Sequence, residues 1–258
     1  MFAEAIVRRV PETLHAGITS ADLGKPEHEK AAAQHLRYIR ALEVCGLQVT
    51  ALDADEKHPD SVFIEDTAVV TARCAILARP GVDSRRGEVH GVEEVLSGRY
   101  ESVEHIIDPG KLDGGDVLQV GDHFFIGLTS RTNLEGARQL TEILQGYGYG
   151  ASLVESRVYL HLKSGVSHLG DDVLVVAGEL ATKREFGEFD KIVVGPHEES
   201  SANCIRVNDY VLVPAGFEGT KAQITARGYE LIELEMSEFR KADGGLSCLS
   251  LRLPGVEP

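Results

Sequence analysis

Apolar positions along the chain switch repeatedly between a period of two and a period near 3.6, the spacings of strand and helix. "AEAIVRRV", close to the start, reads as a strand. "PEHEKAAAQHLRYIRALEVCG" reads as a helix, with Ala32, Leu36, Ile39 and Leu42 or Glu43 at helical spacing and Gly46 as its stop. "LQVTAL" is the next strand, and further helices are expected over "SRRGEVHGVEEVLSG", "RTNLEGARQLTEILQGYG", "TKREFGEFD" and "GTKAQITARGY". No low-complexity segment and no Pro/Gly/Ser-rich linker divides the chain, so one domain over residues 1–258 is expected.

A longer rhythm lies over this pattern. "FIEDTAVVTARCAILAR", "DGGDVLQVGDHFFIGL", "HLKSGVSHLGDDVLVVAG", "SANCIRVNDYVLVPAG" and "GGLSCLSLRLPG" each read as a polar loop feeding short strands. "VGD" and "VND" mark tight turns between two of the strand pairs. Taking Asp66, Asp113, His161, Asn203 and Cys248 as the leading positions, the gaps are roughly 47, 48, 42 and 45 residues. That period holds a strand pair and one helix. Units of this size cannot bury a core alone. Closed into a ring they lose most free edges and turn their leading loops toward one centre. The fold class expected is α/β, a closed ring of five ββαβ-type repeats around a central site.

Composition narrows the partners. Against 26 Lys and Arg stand 41 Asp and Glu, a net charge of −15. With no basic cluster, neither nucleic acid nor an anionic membrane is expected as a partner. A small molecule, cationic if anything, suits the balance better. Cys45, Cys74, Cys204 and Cys248 form no CxxC pair, which removes zinc-ribbon and thioredoxin-like readings. The opening residues lack a basic stretch followed by a long apolar one, and no run approaches the ~18 apolar residues of a membrane span. A cytoplasmic protein with reduced thiols is expected, with a homodimer left open.

In the ring, the leading loops bring together Glu65, Asp66, Asp113, His161 and Cys248. A thiol is a nucleophile as its thiolate, which needs a nearby cation or base. A histidine shuttles protons near neutral pH, and a carboxylate such as Asp113 can orient it. Glu65 and Asp66 have no basic neighbour in their own segment, and acids of that kind suit a cationic ligand. Each residue also has a structural reading. Cys248 and His161 fit a core, "DGGD" fits a turn, and "ED" fits a helix cap. Cys45, Cys74 and Cys204 read as packing residues. The joint occurrence, in register with the repeat, favours chemistry.

In order, "HPDSVFIEDTAVV", "RPGVDSRRGEV", "LDGGDVLQVGDHFFIGLTSRTN", "LHLKSG", "SANCI" and "ADGGLSCLSL" closely resemble the dimethylarginine dimethylaminohydrolases. The resemblance covers nearly the whole chain. It implies the five-bladed propeller of the guanidino-group-modifying superfamily and hydrolysis of Nω-methylated arginines to citrulline and a methylamine. It implies neither metal nor organic cofactor. It implies Cys248 as nucleophile, His161 as general acid and base, and Asp113 as the group that orients His161. Glu65, Asp66 and Asp60 would face the substrate guanidinium, Arg85 and Arg131 its α-carboxylate. Backbone near Ile18 and Ala242 would meet the α-amino end. Many relatives carry Leu at position 18, a small departure here. The rival readings are an arginine deiminase, which usually carries an inserted helical domain, an amidinotransferase, and a non-catalytic ring of the same fold. Cys248, His161 and Asp113 are also zinc-ligand types, and inhibition by adventitious zinc is the expectation there.

Overall fold

The structure is a computed structural model and describes residues 1–255; residues 256–258 of the expected domain lie outside them. The alternating segments form strands β1 (Phe2–Arg8), β2 (Gln48–Leu52), β3 (Ala68–Val70), β4 (Ala75–Leu77), β5 (Val103–His105), β6 (Val117–Val120), β7 (His123–Leu128) and β8 (Gly150–Glu155). They continue with β9 (Val166–His168), β10 (Val173–Val176), β11 (Asp190–Val193), β12 (Ile205–Val207), β13 (Tyr210–Pro214), β14 (Glu230–Leu234) and β15 (Leu251–Pro254). These group into five sheets of three. In every sheet the inner strand pairs antiparallel with a middle strand, which pairs parallel with an outer one. A parallel pair needs a crossover, and the crossovers are the predicted helices. They are α1 (His28–Val44), α2 (His90–Ser97), α3 (Leu134–Gly146) and α4 (Glu218–Ala226). A further short helix, α5 (Ser237–Arg240), precedes the last blade.

One blade departs from expectation. "TKREFGEFD", read as a helix, forms only 3-10 turns at Gly178–Thr182 and Arg184–Phe186. Lys183 between them is extended. Phe186 and Phe189 are drawn onto Phe125 at 5.2 and 5.8 Å between ring centroids, which holds the segment in tight turns. In α1 the buried stripe also differs. It runs through Ala31, His35, Tyr38 and Leu42, while Leu36 is 48 % exposed.

The ring closes where β1 pairs with β15 on one side and β2 on the other, so the first and last strands share a sheet. The "VGD" and "VND" turns carry left-handed backbone at Gly121 (φ 57°) and Asn208 (φ 54°), as tight hairpins require. Five apolar clusters fill the spaces within and between blades. The repeat has a physical mark that the hydrophobic pattern did not show. Each inner strand is led by one 3-10 turn: Ile64–Thr67, Gly114–Asp116, Leu162–Ser164, Glu199–Ala202 or Ser247–Leu249. These turns carry Glu65, Asp66 and Cys248, and Asp113 and His161 stand just before theirs.

Candidate active site

The leading turns converge on a narrow cavity lined by Asp60, Asp66, Arg85, Arg131, His161 and Cys248, with Ile18 and Ala242 at its edge. His161 stands just before its turn, buried. Its Nε2 lies 2.9 Å from Asp113 Oδ2 and 3.8 Å from Asp66 Oδ1. Gly115 packs flat against the imidazole, where a Cβ would come within 2.8 Å of the ring. Burial disfavours the imidazolium, but the charge of Asp66, the hydrogen bond of Asp113 and the charge of Asp116 prevail. The ring is pushed up to about 9. Asp66 answers in kind. Burial raises it, but His161 and Arg85 pull it down to about 2.

Cys248 sits inside the turn Ser247–Leu249. Burial, then the charges of Glu65 and Asp66, push its thiol up to about 12, against a weak pull from the Gly245 N–H, 3.4 Å from Sγ. The preceding glycines serve packing. A Cβ on Gly244 would strike Phe63 at 2.2 Å, and one on Gly245 would strike Asn203 at 2.5 Å. The turn itself is pinned by Asn203. Its Oδ1 accepts from the Ser247 N–H (2.9 Å), and its Nδ2 donates to Ser247 Oγ and the Lys163 carbonyl.

The two arginines differ. Arg85 is almost spent on the protein. It donates to both oxygens of Glu88, to Asp66 Oδ2 at 2.8 Å and to the Phe63 carbonyl. Arg131 is not. Its Nη1 is buried without a hydrogen-bond partner among the described residues, and Asp113 Oδ2 is 3.6 Å away. A buried guanidinium with an open donor suits an incoming carboxylate.

Glu65 departs from its expected place. It does not line this cavity. Its Oε1 accepts from Lys163 Nζ (2.7 Å) and Arg252 Nη2 (3.3 Å), and its Oε2 from Ser247 Oγ (2.7 Å). Those cations come from distant turns and strands, where the local sequence gave no sign of them. Asp60 also does other work than forming an acidic wall. Both its oxygens accept from the Ile18 N–H, at 3.1 and 3.2 Å, anchoring the segment over the cavity. Burial raises Asp60, offset in part by Arg85 and that N–H. Ala242 contributes to the rim beside Asp243, whose Oδ2 takes the Ser20 N–H at 2.6 Å.

Sequence reasoning passed over Asp116. Fully buried, it accepts from the Leu162 N–H, Thr129 Oγ1 and Thr132 Oγ1, and so ties the His161 segment to the Arg131 loop. Burial raises it to about 6. Its signal was the second Asp of "DGGD". The carboxyl and imidazole atoms of Asp66, Asp113 and His161 gather within 4.8 Å of one another, a grouping in which Cys248 takes no part.

Fold and site together define a pentein, a five-bladed α/β propeller with its polar groups at the ring's centre. The family model for eukaryotic N,N-dimethylarginine dimethylhydrolase matches residues 19–208. The N(G),N(G)-dimethylarginine dimethylaminohydrolase of Pseudomonas aeruginosa is 47 % identical over 98 % of this chain and all of its own length. The chain belongs to the dimethylarginine dimethylaminohydrolase family. Its namesake from Streptomyces coelicolor is 35 % identical over 97 % of this chain and 96 % of that one. A solved cysteine-to-serine variant of the Pseudomonas aeruginosa enzyme, complexed with citrulline, superposes with a TM-score of 0.97 over 98 % of this chain and all of that one. The N-terminal domain of ArgZ, a cyanobacterial arginine dihydrolase, superposes at 0.86 over 97 % of this chain and 98 % of that one. At 18 % identity it shares the fold.

Proposed function

We propose that this protein hydrolyses Nω,Nω-dimethyl-L-arginine, and the Nω-monomethyl form, to L-citrulline and dimethylamine or methylamine. One observation carries the reading for this chain. A buried thiol, an imidazole held by carboxylates and an arginine with an open donor line a single narrow cavity. Arg131 takes the substrate carboxylate, with Arg85 beside it, and the guanidinium settles against Asp66 and Cys248. Its positive charge favours the thiolate, and the thiol proton leaves to solvent. Sulfur attacks the guanidinium carbon. The imidazolium of His161, oriented by Asp113, gives its proton to the departing amine. A thiouronium cation remains on Cys248. Neutral His161 takes a proton from water, the hydroxide adds to the same carbon, and collapse expels the thiolate while the new hydroxyl gives its proton to solvent, leaving citrulline. Asp60 and Asp243 hold the segment at Ile18 and Ser20 over the substrate. Glu65 acts from behind Ser247 rather than by touching the guanidinium.

Residues 1–258 are proposed to work as one catalytic unit, in the cytoplasm, on a small-molecule substrate and without a cofactor. All four cysteines are free and buried, in keeping with a reducing compartment. Among the described residues no helix is long and apolar enough to cross a membrane. A homodimer is proposed on the exposed Leu36 and Val44 of α1, and light scattering tests it.

The deciding assay incubates the protein, with chelator, with dimethylarginine and separately with arginine, and measures citrulline. Citrulline from the methylated substrate is expected. Citrulline from arginine alone moves the protein to the deiminases, and none from either removes the reading.

A further inference from the structure

The ring has a second cavity. The leading turns face Cys248, and the inner strands run away from it toward the other mouth. There β3, β6, β9, β12 and β15 together enclose about 400 Å³, against about 20 Å³ around Cys248. Glu65 and Ser247 line its floor, so this layer of side chains separates it from the reaction cavity.

The charges of that floor do not balance. Lys163 and Arg252 both bond the same oxygen of Glu65, and their side chains are 14 % and 15 % exposed. Glu65 is the only carboxylate among the described lining residues, and Arg206 adds a third cation. Two cations sharing one anion in a recess leave a positive charge without a counterion, in a chain of net charge −15. Between polar side chains such as Gln119 and His168, the walls above carry hydrocarbon from Val69, Val117, Ile205 and Leu251. The volume falls within the ~300–1,000 Å³ usual for small-molecule pockets.

We propose that this cavity is a second binding site, for a small amphiphilic monoanion. Its carboxylate lies on Lys163 and Arg252, and its hydrocarbon body lies along the inner strands. Binding is felt at Cys248, a consequence that rests on the function proposed above. Ser247 Oγ bonds Glu65 and lies 4.0 Å from Cys248 Sγ, so added negative charge behind that layer disfavours the thiolate.

Calorimetry tests the site without any turnover, with hexanoate, acetate and hexan-1-ol as probes. Hexanoate is expected to bind, with acetate and hexanol each at least about tenfold weaker, since one lacks the body and the other the charge. Lys163→Met should weaken hexanoate about tenfold. Arg131→Gln, which removes the open donor of the reaction cavity, should leave it unchanged. Should Lys163→Met not fold, Gln119→Phe, at an exposed lining position, narrows the cavity and should give the same loss. No heat with hexanoate, acetate binding as tightly, or loss in Arg131→Gln instead of Lys163→Met each overturns the proposal. Saturating hexanoate should also slow alkylation of Cys248 by iodoacetamide, and an unchanged rate removes the coupling while leaving the binding result to stand or fall alone.

Discussion

Near neutral pH the thiol of Cys248, pushed up to about 12, keeps its proton, and the imidazole of His161, pushed up to about 9, carries one. In the mechanism proposed above, a site in that state has its acid ready and its nucleophile switched off until a cation arrives. Asp113→Asn tests the first half. It keeps the shape and removes the charge, so the basic limb of the pH–rate profile should move to lower pH and kcat should fall by about 10²–10⁴-fold. An unmoved limb would take Asp113 out of the role. Stability follows the same group. The folded value of His161 lies above its unfolded value near 6.5, so its contribution is complete below that pH and is lost as pH rises through about 9. Thermal unfolding between pH 6.5 and 9 should show the fall, and His161→Gln should flatten it. Residue types at this scale were legible in the sequence. Their partners were not: Glu65 has no base in its own segment, yet Lys163 and Arg252 reach it from 98 and 187 residues away.

Two elements must be held for these groups to work. The turn that carries Cys248 is held by Asn203, through two hydrogen bonds to Ser247 and a third to the Lys163 carbonyl. Asn203→Ala leaves those partners unsatisfied and should cost about 1–3 kcal/mol of stability. Denaturant melts check the cost, and kcat should fall more than KM rises. The other element is the segment from Gly17 to Gly24 over the cavity. The free volume beneath it, about 20 Å³, holds one water and no arginine, so substrate entry is expected to lift this segment. Asp243 latches it at Ser20 from 223 residues along the chain, with its own backbone left-handed at φ 56°. Asp243→Gly keeps that backbone and removes the latch. KM should rise several-fold, roughly the worth of a hydrogen bond to a charged group, and amide exchange over 17–24 should quicken. Exchange unchanged from wild type would show the latch to be idle. Nothing in "ADGG" or "GITS" pointed to this contact, because it exists only once the ring has closed. Gly244 and Gly245 beside it serve packing, against Phe63 and Asn203.

The ring was legible for a reason of scale. A repeat near 45 residues sets blade after blade, and hydrophobic alternation records it even where the sequences of the blades differ. The blade that broke the pattern, with turns in place of a helix, did so through aromatic packing of Phe186 and Phe189 that periodicity cannot carry. Closure depends on the pairing of β1 with β15, and Asn208, from the neighbouring β12–β13 turn, clasps that blade with three hydrogen bonds. Its Oδ1 accepts from the Phe2 N–H at 2.9 Å, and its Nδ2 donates to the carbonyls of Phe2 and Cys45 at 3.1 and 2.9 Å. It also sits at the left-handed position of the β12–β13 turn. Asn208→Gly therefore preserves the turn and removes only the clasp. If the five blades melt as one unit, the loss of about 1–3 kcal/mol lowers the whole transition by several degrees, at about 2–4 °C per kcal/mol for a chain of this size. Turnover per folded molecule at low temperature should be unchanged, since the clasp lies away from Cys248. A separate early transition, with the main one in place, would mean that the blade of β1, β2 and β15 opens by itself and that the ring is less cooperative than its closure implies.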